Sequence, residues 1–192
     1  MRVILEPSFF DRKAEVVGRA LLGKYLVRIV DDREVAYPIT EVEIYDGFED
    51  RASHAFRGRT ARNQVMFGDA GHLYIYLVYG MYFMLNVVVG KKDYPAAILI
   101  RGAGEINGPG KLTKKLEIGK KLNGKLAIPE TGLWFEDRGK LDRRHWRVKQ
   151  TTRIGISYAG KTWSEKLYRF VLQSRVKLKD IREAGKRKAY RL

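Results

Sequence analysis

Segments rich in β-branched and aromatic residues follow one another along this chain without the regular intervening helices that a parallel sheet requires. Tyr25 to Val30 and Glu34 to Tyr45, separated by Asp31-Asp32-Arg33, read as a hairpin. His72 to Val78, Met81 to Val89 and Ala96 to Ala103 read as three more strands, with Tyr79-Gly80 turning between the first two. Further strands are expected at Gly132 to Glu136, Arg153 to Tyr158 and Tyr168 to Val171, while the rest of 120–150 is charged and irregular. Helical spacing is confined to two stretches. In Asp11 to Leu22 the positions Ala14, Val17, Ala20 and Leu21 recur and Gly23 follows as a C-cap; in Lys111 to Ile118 the pattern starts after the break Gly108-Pro109-Gly110. With no internal repeat and no linker, the expected fold is α+β: a single, mostly antiparallel β domain over 1–192 with a few peripheral helices.

Charge is segregated along this chain. Its 38 Lys+Arg and 22 Asp+Glu leave a net +16, yet residues 1–109 are balanced, so the whole excess lies in the last 83 residues. Such a field predicts a partner rich in negative charge, phosphate backbone first and an acidic membrane surface as the weaker alternative. The absence of cysteine removes disulfides, thiolate chemistry and zinc-finger or iron–sulfur ligation. Met1 to Pro7 holds too short an apolar run for a signal or membrane-spanning segment, so a cytoplasmic protein is expected.

Within Ile39 to Tyr45 the alternation puts Glu41, Glu43 and Tyr45 on one face and Val42 and Ile44 on the other. Two carboxylates beside an aromatic ring can act as a site, or simply be the solvent face of an edge strand. Leu73 to Tyr79 carries three tyrosines, of which Tyr74 and Tyr76 share a face; core packing is the default use of such rings. Tyr79, followed by Gly80 at a turn, is badly placed for burial and well placed to be pushed between stacked bases, with an idle exposed tyrosine as the competing reading. Arg101 ends the apolar strand Ala96 to Ile100, where a buried guanidinium needs a carboxylate, Glu43 or Glu41. His54, His72 and His145 lack the spacing of a metal site, and neither a Gly-rich nucleotide loop nor a nucleophile elbow is present. Gly108-Pro109-Gly110-Lys111 ahead of a helix would aim free N–H groups and a lysine at an anion, although such a turn also simply starts helices. Asp46 to Arg62 loses the alternation and reads as a long loop of the kind that carries function.

Together these residues resemble the alkyladenine (3-methyladenine) DNA glycosylase family. The resemblance is carried by Glu41-Val42-Glu43-Ile44-Tyr45, Glu49-Asp50-Arg51-Ala52-Ser53-His54 and Arg57-Gly58-Arg59-Thr60-Ala61-Arg62-Asn63. It continues through Met66-Phe67, Tyr74-Ile75-Tyr76-Leu77-Val78-Tyr79-Gly80-Met81, Leu85-Asn86, Leu99-Ile100-Arg101, Gly108-Pro109-Gly110-Lys111-Leu112 and Arg153-Ile154-Gly155-Ile156, in family order. One departure is that the family's Leu-Glu-Pro after the arginine strand reads here as Gly104-Glu105-Ile106.

The resemblance implies a monofunctional enzyme that flips a damaged purine out of double-stranded DNA and hydrolyses its N-glycosidic bond, leaving an abasic site, with no metal and no cofactor. Glu43 matches the carboxylate that activates water, and Arg101 the residue that helps to position both. Tyr45, His54 and Tyr76 match the aromatic walls around the flipped base. Asn86 matches the residue that crowds the exocyclic amine of guanine, and Leu99, Ile154 and Gly155 would line the same pocket. Tyr79 matches the side chain that fills the vacated stack; Met81 and Tyr82 would press on the minor groove, and Lys111 is the candidate phosphate contact. A monomer associated with the nucleoid through DNA is expected. The rival from another class is a non-enzymatic nucleic-acid-binding β module whose tyrosines only stack; a third reading is an enzyme acting on nucleosides in RNA.

Overall fold

A computed structural model describes residues 2–139 and 146–174. In chain order the elements are β1 (Val3–Ile4), α1 (Pro7–Phe10), α2 (Ala14–Leu21), β2 (Tyr25–Val30), β3 (Arg33–Asp46), β4 (Leu73–Val78), β5 (Tyr82–Val88), β6 (Ala96–Ala103), β7 (Ile106–Asn107), α3 (Pro109–Lys115), β8 (Leu133–Asp137), β9 (Trp146–Thr151), α4 (Lys161–Ser164) and β10 (Arg169–Ser174). Short 3-10 turns at His54–Arg57, Gln64–Phe67, Lys120–Leu122, Pro129–Thr131 and Ser157–Ala159 fill the connections.

All strand pairs are antiparallel, in the order β1-β8-β2-β3-β6-β5-β4, with β7 on β6 and the β9–β10 pair attached to β3. The fourteen-residue β3 is the hub. Its first half pairs with β2, and further along the same edge Glu41, Val42 and Glu43 pair with β10, while β6 occupies the other edge. Register shifts on either side of Glu41 mark an irregularity where the strand passes from one neighbour to the next.

Alternation decides which face becomes core. Val42, Ile44, Leu73, Ile75, Leu85, Val87, Ile98 and Ile100 point into one large apolar cluster. Gly18 of α2 lets that helix sit against Ile44 and Ile98, because a Cβ there would meet Ile44 at 3.2 Å. Leu112 and Leu116 bring the α3 segment onto the same cluster. The opposite sheet face carries Glu43, Tyr45, Tyr74, Tyr76, Asn86 and Ala97, and the 46–62 loop covers part of it through Ala52 and Ala55.

Two expected elements differ from the structure. Arg153 to Tyr158 is not a strand: it bends at Ile154 and Gly155 and ends in the 157–159 turn. Its polar groups go to distant partners instead of a ladder, with the Ile154 amide on Glu43 and the Arg153 guanidinium on Asp50, and Gly155 has φ 77°. Gly108-Pro109-Gly110 does not break the chain ahead of a helix but begins it, with Pro109 in the first turn, where its missing N–H costs nothing. Strand β9, within the stretch expected to be irregular, is half of the β9–β10 hairpin-like pair; its apolar alternation is limited to Trp146 and Val148, and only Trp146 packs on the core. His145 lies outside the described residues.

Candidate active site

Glu43 is the centre of the opposite face. It has no solvent exposure, and its carboxylate is held from three directions. The Ile154 amide donates to Oε1 at 2.8 Å, the Tyr45 hydroxyl donates to Oε2 at 3.1 Å, and Arg101 Nη1 reaches Oε2 at 3.4 Å. Burial pushes the Glu43 pKa up, while Arg101, the Ile154 N–H and the Tyr45 hydroxyl pull it back. Arg101 satisfies both expected partners: its Nε donates to Glu41 at 2.8 Å, and Glu41 also accepts from Arg169 Nε at 2.6 Å. The result is an alternating chain of charge, Glu43–Arg101–Glu41–Arg169, built from β3, β6 and β10.

Beside the carboxylate, Tyr45, Ala52, Ser53, His54, Met66, Tyr74, Tyr76, Asn86, Ala97 and Tyr158 line a cleft of about 320 Å³ including its open mouth. The rings of His54 and Tyr76 meet edge to face at 4.5 Å between centroids. Tyr74 is almost fully buried, as core packing requires, yet its hydroxyl pairs with His54 Nδ1 at 2.9 Å at the cleft wall. Packing lowers the His54 pKa to about 4, helped by Arg62, although much of the residue remains exposed. Burial likewise keeps the hydroxyls of Tyr45, Tyr74 and Tyr76 protonated, pushing Tyr74 up to about 12. The wall is therefore neutral and aromatic at pH 7.

Asn86 spends its side-chain N–H₂ on the carbonyls of Tyr74 at 3.0 Å and Met84 at 3.2 Å, which pins it against the cleft floor. Leu99 pairs in register with both Glu43 and Asn86 and is buried between them, not at the cleft surface. Ile154 and Gly155 are exposed at the rim above Glu43.

Tyr79 stands apart at the tip of the β4–β5 hairpin, 88% exposed. Its φ is 51° and that of Gly80 is 69°, the pair of left-handed residues that a type I′ turn demands, closed by the Met81 N–H on the Val78 carbonyl. A bulky residue at positive φ is strained. Met81 and Tyr82 are exposed beside it, and the Tyr82 ring packs on Gly110 of α3. Lys111 is exposed in the first turn of the seven-residue α3, with Lys114 and Lys115 further along it.

Several neighbours had no signal of their own in the sequence. Tyr158 and Met66 in the cleft wall, Arg169 behind Glu41, and the Asp50–Arg153 ion pair are each recognisable only by what stands opposite them. The motif fragments containing Asp50, Met66 and Arg153 mark them as related to a family without indicating a place.

The family model described as methylpurine-DNA glycosylase matches residues 8–106 and 103–176. A curated protein of Methanocella arvoryzae named "Putative 3-methyladenine DNA glycosylase" is 41% identical over 177 residues, covering 82% of this chain and 86% of its own length. Proteins of the same name from Legionella pneumophila and Natranaerobius thermophilus are 39% and 34% identical, covering 90% and 88% of this chain and 96% and 95% of their own lengths.

Proposed function

The chain belongs to the methylpurine-DNA glycosylase family, and on that footing we propose that it acts as a monomer on double-stranded DNA, flips out a damaged purine of the 3-methyladenine type and hydrolyses its N-glycosidic bond with water activated by Glu43. As a family member it is a DNA-3-methyladenine glycosylase of base excision repair, a hydrolase of N-glycosyl bonds.

The observation that carries the mechanism is the setting of Glu43: a carboxylate without solvent exposure, adjoining an aromatic cleft. A carboxylate offers about four lone-pair sites. Ile154, Tyr45 and Arg101 occupy three of them, which leaves one to take a proton from water. As the bond from C1′ to the base nitrogen breaks, its electron pair leaves with the base, and a positively charged base departs neutral without needing a proton. The water oxygen bonds C1′ and its proton passes to Glu43, whose negative charge also stabilises the oxocarbenium character of the sugar. A carboxylate whose pKa is raised by burial is a better proton acceptor near neutral pH.

The neutral rings of Tyr45, His54 and Tyr76 suit an electron-poor alkylated base, a cation–π preference of about 0.5–2 kcal/mol. Asn86, unable to move aside, excludes the exocyclic amine of guanine. Tyr79 fills the gap in the stack, with Met81 and Tyr82 against the minor groove; unstacking costs a few kcal/mol, offset by this insertion and by phosphate contacts of the basic residues, Lys111 among them.

Incubation with methylated duplex DNA is the test. Free 3-methyladenine should be released, and Glu43→Gln should abolish release while DNA binding survives. A Gln variant as fast as the parent removes Glu43 from the mechanism, and retention of every base by the parent rejects the proposed activity.

A further inference from the structure

Asp50 and Arg153 form a bidentate ion pair with no solvent exposure of either side chain, at 2.6 and 2.8 Å. Arg153 also donates to the Ile44 carbonyl at 2.8 Å and the Trp163 carbonyl at 3.4 Å, while Asp50 accepts from the amides of Asp46 and Ala52. The guanidinium lies 4.9 Å from the centre of the Tyr45 ring. One peptide further on, the Ile154 amide meets Glu43.

Stability is a weak explanation for this pair. Buried ion pairs are often no more stabilising than well-packed apolar residues of the same size. Here the Arg153 Nε is in addition buried without a hydrogen-bond partner, a cost of about 1–3 kcal/mol. What the pair does is geometric. Residues 152–156 belong to no strand, and Gly155 turns at φ 77°, so no ladder directs the Ile154 N–H. The anchored guanidinium does so, and it backs the Tyr45 ring as well.

We propose that Asp50 and Arg153 are positioning residues for the glycosylase reaction: their ion pair aims the Ile154 N–H at Glu43 and braces Tyr45, although neither side chain touches the nucleotide. The proposal rests on the reading of Glu43 as the base. The groups around that carboxylate are Arg101 from β6, Glu41 and Tyr45 from β3 and the Ile154 amide, with Tyr76 from β4 and Tyr158 from the 157–159 turn close enough to feel its charge. Arg101 and Tyr45 remain when the ion pair is loosened, but the Ile154 restraint that favours the ionised form is lost. Glu43 then holds its proton to higher pH.

Single-turnover release of cationic 3-methyladenine from methylated duplex DNA, followed against pH, tests this with Arg153→Lys and Asp50→Asn. Arg153→Lys keeps the positive charge, so any shift reflects aim and not charge. In Arg153→Lys the acid limb of the rate profile should move up by about one pH unit, giving roughly tenfold slower release on that limb that recovers as pH rises; in Asp50→Asn the lost negative charge works against the shift, so its limb should move up by less. A loss of equal size at every pH, or an unmoved limb, overturns the proposal. Because either variant can fail to fold, replacing the 153–154 peptide by an ester is the second arm: it deletes the Ile154 N–H, leaves the ion pair whole and must shift the limb the same way, and an unshifted ester overturns the proposal too. A parent that releases no base at any pH defeats the proposed function itself, whereas an active parent with unshifted variants defeats only this inference.

Discussion

Arg101 makes its shorter ion pair with Glu41, Nε to Oε1 at 2.8 Å, and reaches Glu43 only at 3.4 Å. The arginine is thus oriented by the outer carboxylate while lending part of its charge to the inner one. Glu41 is shared in turn with Arg169 at 2.6 Å, so one side chain restrains two guanidiniums.

Glu41→Gln should release Arg101 toward Glu43. The loss of a largely buried partner for two arginines should cost about 2 kcal/mol in chemical denaturation, less than a fully buried pair because Arg169 is partly exposed. Glu43, with a closer guanidinium, should titrate lower, moving the acid limb of base release to lower pH. That is opposite to the direction expected of Arg153→Lys; the lost negative charge of Glu41 acts in the same sense as a closer Arg101, and a limb that moves upward would contradict both.

Tyr79 pays a conformational penalty at φ 51° that no packing returns, since its ring is 88% exposed. Asn tolerates the left-handed region far better. Tyr79→Asn should therefore raise stability by roughly 1 kcal/mol, seen as a higher melting temperature, while slowing base release from duplex DNA much more than from single strands. Equal slowing on both substrates would remove the wedge role, and a lower melting temperature would remove the strain argument.

Burial raises the Glu43 pKa above its unfolded value near 4.5, so the folded protein binds this proton more tightly than the unfolded chain. The associated stability is full below pH 4.5 and is lost as pH rises toward the folded value. A neutral glutamine escapes that loss. Glu43→Gln should melt above the parent at pH 7, by a margin that shrinks as pH falls toward 4.5. Thermal melts across pH check both the sign and the trend.

A Cβ on Gly110 would sit 2.8 Å from the Tyr82 ring, closer than any real contact. Gly110→Ala should displace Tyr82 at a cost of about 1–3 kcal/mol and weaken binding to duplex DNA. The single-turnover rate at saturating enzyme should stay near that of the parent, because neither Gly110 nor Tyr82 lines the cleft. A changed rate with unchanged binding would contradict a surface role for Tyr82.

The strands that alternate cleanly were legible: β2 to β6 lie within two residues of their expected ends, and Glu43 and Tyr45 share a face as the period of two requires. The edge elements were not. Strand β9 has four consecutive exposed residues and holds its place by pairing with β10, and an alternation of only two apolar residues, Trp146 and Val148, is too short a signal to mark it. The segment 153–158 failed for the opposite reason. Its apolar residues mimic a strand, but its polar groups bond to residues more than a hundred positions away.

Alternation, turn residues and motif order by themselves determined the antiparallel sheet, the side of β3 that holds the carboxylates, the exposed position of Tyr79 and the family to which the chain belongs. Tertiary structure alone decided that Arg101 leans on Glu41, that the Ile154 amide closes on Glu43 and that Asp50 and Arg153 stand behind it. Periodicity states which way a side chain points from its own strand; what it meets there depends on how distant segments pack, and a buried charge acquires its partners only when the whole sheet has formed.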